Sequence, residues 1–211
     1  MFDSSTLYIL QGAAVTLKYT FLAVFFGAII GTLVAVCRIS KIGVLKYFSI
    51  IYISIFRGTP LLIQLSMVYF ILPMYGVKIT IFIAGITAFS LNSAAYIAEI
   101  IRSGINSVDK GQFEAARSLS IPYYNSMKDI ILPQAFRNIL PALVNEVVNL
   151  LKETAIISVI GEVDLMRRAQ IVSSETYDYF TPLFTAAIAY YVLVVIFSTL
   201  AKIVENKIKL Q

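Results

Sequence analysis

Along this chain long apolar runs alternate with short charged ones. The apolar runs cover about residues 10–36, 47–75, 79–101, 138–160 and 182–201. Each matches or exceeds the roughly 20 residues that an α-helix needs to cross a bilayer. The pattern predicts an all-α integral membrane protein, a single transmembrane domain over 1–211 with five membrane-spanning helices. The first run is longer than a bilayer requires, so it tilts or projects. Its Lys18 falls in the outer half, from where it can snorkel. Gly27 and Gly31 make a G-x-x-x-G step that allows close helix contact, although small residues are also simply frequent in membrane helices.

One long polar interval, Arg102 to Pro133, interrupts the series and must lie outside the bilayer. It reads as two short helices. Ser107 can cap the first, in which Val108, Ala115, Ala116 and Leu119 recur at helical spacing and Glu114 and Arg117 form an i,i+3 pair. Ser120 ends it and can cap the second, with Pro122 near its first turn. On periodicity alone an ordinary solvated loop fits as well.

Three other polar features sit inside apolar runs. Arg57-Gly58-Thr59-Pro60 breaks the second, which is costly unless the backbone lines a cavity or packs on protein; Arg57 either serves such a site or anchors the helix at the interface. In the third, Asn92, Tyr96 and Glu99 share a helix face. Glu99 and Arg102 can pair, and Asn92 is either a ligand contact or an interhelical hydrogen bond. The fourth is the least apolar. Asn138, Asn145, Asn149 and Lys152 form a stripe, with Glu146 and Glu153 beside it. Such a stripe cannot face lipid and must meet a water-filled path or a partner helix. A polar link, Gly161 to Thr181, is too short for a domain.

Composition narrows the class. With 59% hydrophobic and 14% charged residues and a mean hydropathy of +0.83, only a membrane protein fits. The single Cys37 offers neither disulfide nor metal site, and no metal site is expected. The net charge of +5 comes from residues that flank the spans, which argues against nucleic acid. The N-terminus lacks the basic region of a cleavable signal and the run behind it is too long for one, so the first span is expected to be retained. Placing 38–46, 102–137 and 202–211 in the cytoplasm puts eleven of the seventeen Lys and Arg residues there, against three in the opposite segments. That bias predicts the N-terminus outside and the C-terminus inside.

Glu114-Ala115-Ala116, then Ser120, nine residues, and Ile130-Ile131-Leu132-Pro133 resembles the E-A-A-x-x-x-G-(nine residues)-I-x-L-P loop of the permease subunits of bacterial ABC importers. Gly111-Gln112 and the approach from Leu91 to Arg102 are similar too. Ser120 stands where the family has glycine, which implies a turn made by a capping serine. Arg57-Gly58-Thr59-Pro60-Leu61-Leu62 with Gln64 resembles the R-G-T-P-L-L-x-Q motif of the polar amino-acid branch, and Lys152-Glu153-Thr154 resembles its K-D-T step.

The resemblance implies a transport subunit of the bacterial inner membrane, working by alternating access. Its partners would be an ATP-binding cassette ATPase carrying ATP and Mg2+, a second permease that is a copy or a related chain, and an extracytoplasmic substrate-binding protein. The chain has no phosphate-binding G-x-x-x-x-G-K-[ST] loop and no histidine, so enzymatic activity is not expected. Gly111, Glu114, Ala115, Ala116, Ser120, Leu132 and Pro133 would couple to the ATPase. Glu153, Arg57, Thr59, Gln64, Asn92 and Asn149 would meet a polar amino acid, first a basic one and next glutamine or glutamate; an ATP-independent amino-acid carrier or channel is the remaining alternative, though it would have no use for the 102–133 helix pair.

Overall fold

The computed structural model describes residues 4–209. Residues 1–3 of the N-terminal segment and 210–211 of the closing basic segment lie outside the described residues, as do the side chains from 204 onward, those of Lys207 and Lys209 included. The described residues form helices: α1 (Ser4–Gln11), α2 (Ala13–Ile39), α3 (Gly43–Gly58), α4 (Leu61–Met74), α5 (Ile81–Asn106), α6 (Lys110–Ser118), α7 (123–153), α8 (Leu165–Thr176) and α9 (Phe180–Lys209). Both α4 and α7 contain a wider π-helical stretch, Met67–Ile71 and Ser126–Ile131, and a 3-10 turn, Thr154–Ile160, follows α7.

Three stretches are long and apolar enough to cross a membrane: Ser4–Ile39, Ile81–Asn106 and Phe180–Ile203. A fourth is the pair α3 and α4, bent by 103° at the break after Gly58. The run expected over 138–160 falls on α7 and the 3-10 turn, and with its polar and charged residues α7 is not among these apolar stretches. The second helix of the 102–133 interval does not end before the next run, because 123–153 is one continuous helix. The polar interval is therefore short helix α6 plus the projecting ends of α5 and α7.

Helix α5 is the centre, 61% buried over its most apolar window, where α2 is 28% and α9 only 11% buried. Small residues let α2 approach it. A Cβ on Gly27 would lie 3.1 Å from Ser93 Cβ, and one on Gly31 would lie 2.8 Å from the Ala94 carbonyl oxygen. The G-x-x-x-G step is thus the seam of this pair. Tyr19, Phe89, Leu65, Leu150 and Ile157 fill the core where α2, α4, α5 and α7 meet. Lys18 does not run free: its Nζ lies 4.4 Å from the centre of the Phe82 ring.

The link over 161–181 is structured. Asp164 caps α8 by accepting the Arg167 amide at 2.8 Å, and Leu165, Ala169 and Val172 pack on Ile9, Ala186 and Ala189. The backbones are so close that a Cβ on Gly12 would come within 2.6 Å of Leu165. Burial pushes the Asp164 carboxyl up to about 6, against the hydrogen bonds from Arg167 and Tyr190 that favour its ionised form.

Candidate functional site: the helical hairpin and the polar faces of α5 and α7

Asp109, not Ser107, caps α6, accepting the Gly111 amide at 2.6 Å. Ser107 instead ends α5. Its hydroxyl donates to the Gly104 carbonyl at 2.7 Å and accepts from Asn138 Nδ2 at 2.9 Å, which ties α5 to α7. Ser120 caps nothing either. It takes a left-handed conformation, φ 54°, while its amide reaches the Arg117 carbonyl at 3.0 Å and the Ile121 amide reaches Ala116 at 2.9 Å. Those two bonds define a Schellman ending with residue 120 at its left-handed position, which is where glycine is preferred. The next helix starts after Pro122.

The hairpin's apolar positions divide. Val108 and Ala116 are buried, and Val108 packs with Ile105, Ile131, Ala135 and Ile139 to fix the hairpin on α5 and α7. Gly111, Glu114, Ala115, Leu132 and Pro133 are exposed, as are Leu119 and the tyrosines 123 and 124. Glu114 and Arg117 make no ion pair; among the described residues the one ion pair is Glu99–Arg102. On so exposed a helix such a pair would add little, which is why spacing alone did not secure it.

At the bend between α3 and α4, Thr59, Gln64 and Asn92 come together. Gln64 Nε2 donates to the Phe56 and Thr59 carbonyls at 2.9 and 3.0 Å, and its Oε1 accepts from Asn92 Nδ2 at 3.0 Å. Asn92 also donates to Phe56 O at 3.2 Å. The carbonyls freed at the end of α3 are thereby satisfied inside the protein, as a break at membrane depth requires. Arg57 points elsewhere. Its guanidinium stacks 5.2 Å from the Tyr96 ring centre and lines an open groove of about 850 Å3 between α5 and α7. Glu99, Ser103, Arg137 and Asn138 share that groove. Asn92 and Gln64 do not line it, and neither do Asn149 and Glu153.

The polar residues of α7 differ in burial. Glu146 turns inward, 9% exposed, and accepts the Ser93 hydroxyl at 2.9 Å, so it does not join Glu153 in one acidic patch. Asn145, Asn149, Lys152 and Glu153 are exposed, and Lys152 and Glu153 are not paired with each other. The chain thus holds an unpaired carboxylate and carboxamide one helical turn apart, a donor–acceptor set fit for a cationic or amide group. Sequence reading passed over Arg137 and Ser93. Nothing in the spacing distinguishes Ser93 from other small residues of α5, and Arg137, one position before Asn138, falls about 100° off the Asn138 stripe.

Comparison with known proteins agrees with this architecture. Residues 13–210 match the family of binding-protein-dependent transport system inner membrane components. A Rickettsia felis protein that carries the name of a glutamine transport system permease, GlnP, is 60% identical over 98% of this chain and 95% of its own length. The arginine transport system permease ArtQ of Bacillus subtilis is 50% identical over 96% of this chain and 93% of its own. A crystal structure of an amino acid ABC transporter with histidines superposes with a TM-score of 0.92 at 47% identity, covering 96% of this chain and 94% of that one. The methionine transporter MetNI, at 21% identity and a TM-score of 0.80, shares the fold. The chain belongs to the binding-protein-dependent inner membrane components, as a permease subunit of an amino-acid ABC importer whose ATP hydrolysis resides on a separate chain.

Proposed function

We propose that this chain lines the translocation path for a polar amino acid with a cationic side chain, and that Glu153 receives that charge. The observation that carries the reading is the exposed, unpaired Glu153 carboxylate on α7, with Asn149 one turn away. An ionic face at membrane depth cannot meet lipid, so it faces a path or a second permease packed against α7. Arg57, which is in no ion pair among the described residues and lines the open groove within electrostatic reach of Glu99, meets the substrate carboxylate on the inward side. Thr59, Gln64 and Asn92 act on the substrate by holding the bend that aims Arg57. The transporter crystallised with histidines and the arginine permease of B. subtilis support a cationic substrate.

Glutamine is the second reading, favoured by the names of relatives at up to 60% identity. Its carboxamide would use the same Asn149 and Glu153 acceptors.

The hairpin couples this path to ATP hydrolysis. Glu114, Ala115, Leu132 and Pro133, with Leu119 beside them, present an exposed ridge to a groove on the ATPase, while Gly111, Ala116 and Ser120 shape the helix that carries it. ATPase closure then moves α5 and α7 together as levers, because Ser107 and Asn138 join them. An extracytoplasmic protein delivers the solute. The test is binding of labelled arginine and glutamine to the chain with its ATPase in nanodiscs, wild type against Glu153→Gln. Arginine binding lost in the variant is expected. Equal arginine binding in both refutes the role of Glu153, and glutamine binding alone selects the second reading.

A further inference from the structure

At the end of the bundle that carries α6, three helices converge on a second recess, of about 310 Å3. Arg38 and Ile39 come from the last turn of α2, Lys46 from the first turns of α3, and Arg102 and Asn106 from the end of α5. The recess shares no residue with the groove that Arg57 lines. Its wall holds three cations, of which Arg102 is ion-paired with Glu99, while Arg38 and Lys46 are in no ion pair among the described residues. Glu99 lies within electrostatic reach of Arg38, yet its carboxylate is held by Arg102, whose Nε donates to it at 2.9 Å. Arg38 Nε is buried without a hydrogen-bond partner, a state that calls for an acceptor.

What lies beside the cations selects the acceptor. Ile39, which lines the recess, is exposed, as are Ile42, Val44, Leu45, Tyr47 and Phe48 in the adjoining α2–α3 connection and first turns of α3, Phe48 by 65%. A free anion would need the cations alone. An amphiphile uses both the cations and these apolar residues.

We propose that this recess binds the phosphate headgroup of an anionic phospholipid, with Arg38 and Lys46 meeting the phosphate, Arg102 held by Glu99 at its edge, and the acyl chains along the adjoining exposed apolar residues. The site draws on the chain's place in a bilayer and not on the substrate reading. It docks the α2–α3 connection at the membrane surface.

The test uses the full complex with its ATPase, drawn from vesicles of equal phosphatidylglycerol and phosphatidylcholine, with retained lipid counted by native mass spectrometry. Wild type should retain phosphatidylglycerol in preference. The double variant Arg38→Gln with Lys46→Gln should weaken retention by roughly 30-fold. Arg38→Lys with Lys46→Arg should keep it, and Lys78→Gln, whose charge lies outside the recess, should match wild type. Equal retention of the two lipids, or unchanged retention in the glutamine double variant, overturns the proposal. Complete displacement of phosphatidylglycerol by inorganic phosphate overturns the lipid as occupant in favour of a free anion. Should the glutamine variant not assemble, a salt titration of wild type decides: release with rising ionic strength is expected, and salt-independent retention overturns the site. Release of the chain from membranes by carbonate would instead fail the bilayer placement itself, a separate readout.

Discussion

Replacing Ser120 with glycine should stabilise the hairpin, and the size of the effect separates two accounts of that residue. Its φ of 54° is left-handed and its side chain makes no hydrogen bond, whereas its amide and that of Ile121 close the end of α6 on Arg117 and Ala116. A left-handed conformation costs a residue with a Cβ about 1–2 kcal/mol. Glycine removes that strain but is freer in the unfolded chain, which takes back about 0.4–1 kcal/mol. The net gain is about 0.5–1 kcal/mol, enough to slow local opening by about two- to five-fold. Hydrogen exchange of the peptide over 116–121, measured in nanodiscs, reads this directly. Ser120→Ala should leave exchange nearly unchanged, since it keeps the strain and loses no bond. If the hydroxyl were a helix cap, Ser120→Ala would lose about 0.5–2 kcal/mol and Ser120→Gly a few tenths, and both would exchange faster. Faster exchange in Ser120→Gly would therefore refute the Schellman ending.

Two further outcomes follow from packing and burial. Gly31→Val should drive α2 from α5, because even a Cβ there would sit 2.9 Å from Ile97 Cβ and 2.8 Å from the Ala94 oxygen. A loss of about 1–3 kcal/mol is expected, read as a lower melting temperature in detergent, and an unchanged melt would sink the close-contact account. For Asp164, the folded protein holds the proton more tightly than the unfolded chain, its carboxyl being raised from 3.8 to about 6 by burial. Its contribution is fully present below the ordinary pKa and is lost as pH rises through about 6, by up to about 3 kcal/mol in all. Melting of the purified chain across that interval should show the decline, and Asp164→Asn should flatten it; a decline of equal size in the variant would assign it to other groups.

Helix positions were readable from polarity because a bilayer leaves backbone groups no partner but each other. The break at residues 57–60 was readable for the same reason, since a charge and a proline in an apolar run need a special environment. What polarity could not show was where one helix passes into another. Met127, Ile130 and Ile131 sit in a polar interval by composition, yet they pack under α5 and carry the helix unbroken into α7. Helix α8 carried a signal that went unused: Asp164 at its cap, followed by Leu165, Ala169 and Val172 at helical spacing. Ser107 and Ser120 are both good cap residues by type, and both were displaced by tertiary geometry, one by Asn138 and one by the turn itself.

The polar residues within the apolar runs divide into two sets that spacing treats alike. Gln64, Asn92, Ser93 and Glu146 spend their hydrogen bonds on one another or on freed carbonyls within the chain. Asn145, next to Glu146, and Asn149, Lys152 and Glu153, one to two turns further along the same helix, remain exposed. Both sets recur at helical intervals, so a sequence pattern marks them equally as candidates. The difference lies mainly along the axis: α5 reaches α7 at Glu146 through Ser93, whereas Asn149, Lys152 and Glu153, nearer the end of α7, stay exposed together with Asn145, although Glu153 is seven residues from Glu146 and on nearly the same side. A lone chain in a bilayer would leave those exposed residues against lipid at a cost of several kcal/mol. The exposed polar residues of α7 thus call for a water-filled path or a second subunit, which is the physical ground for proposing that a permease of this kind works as a pair.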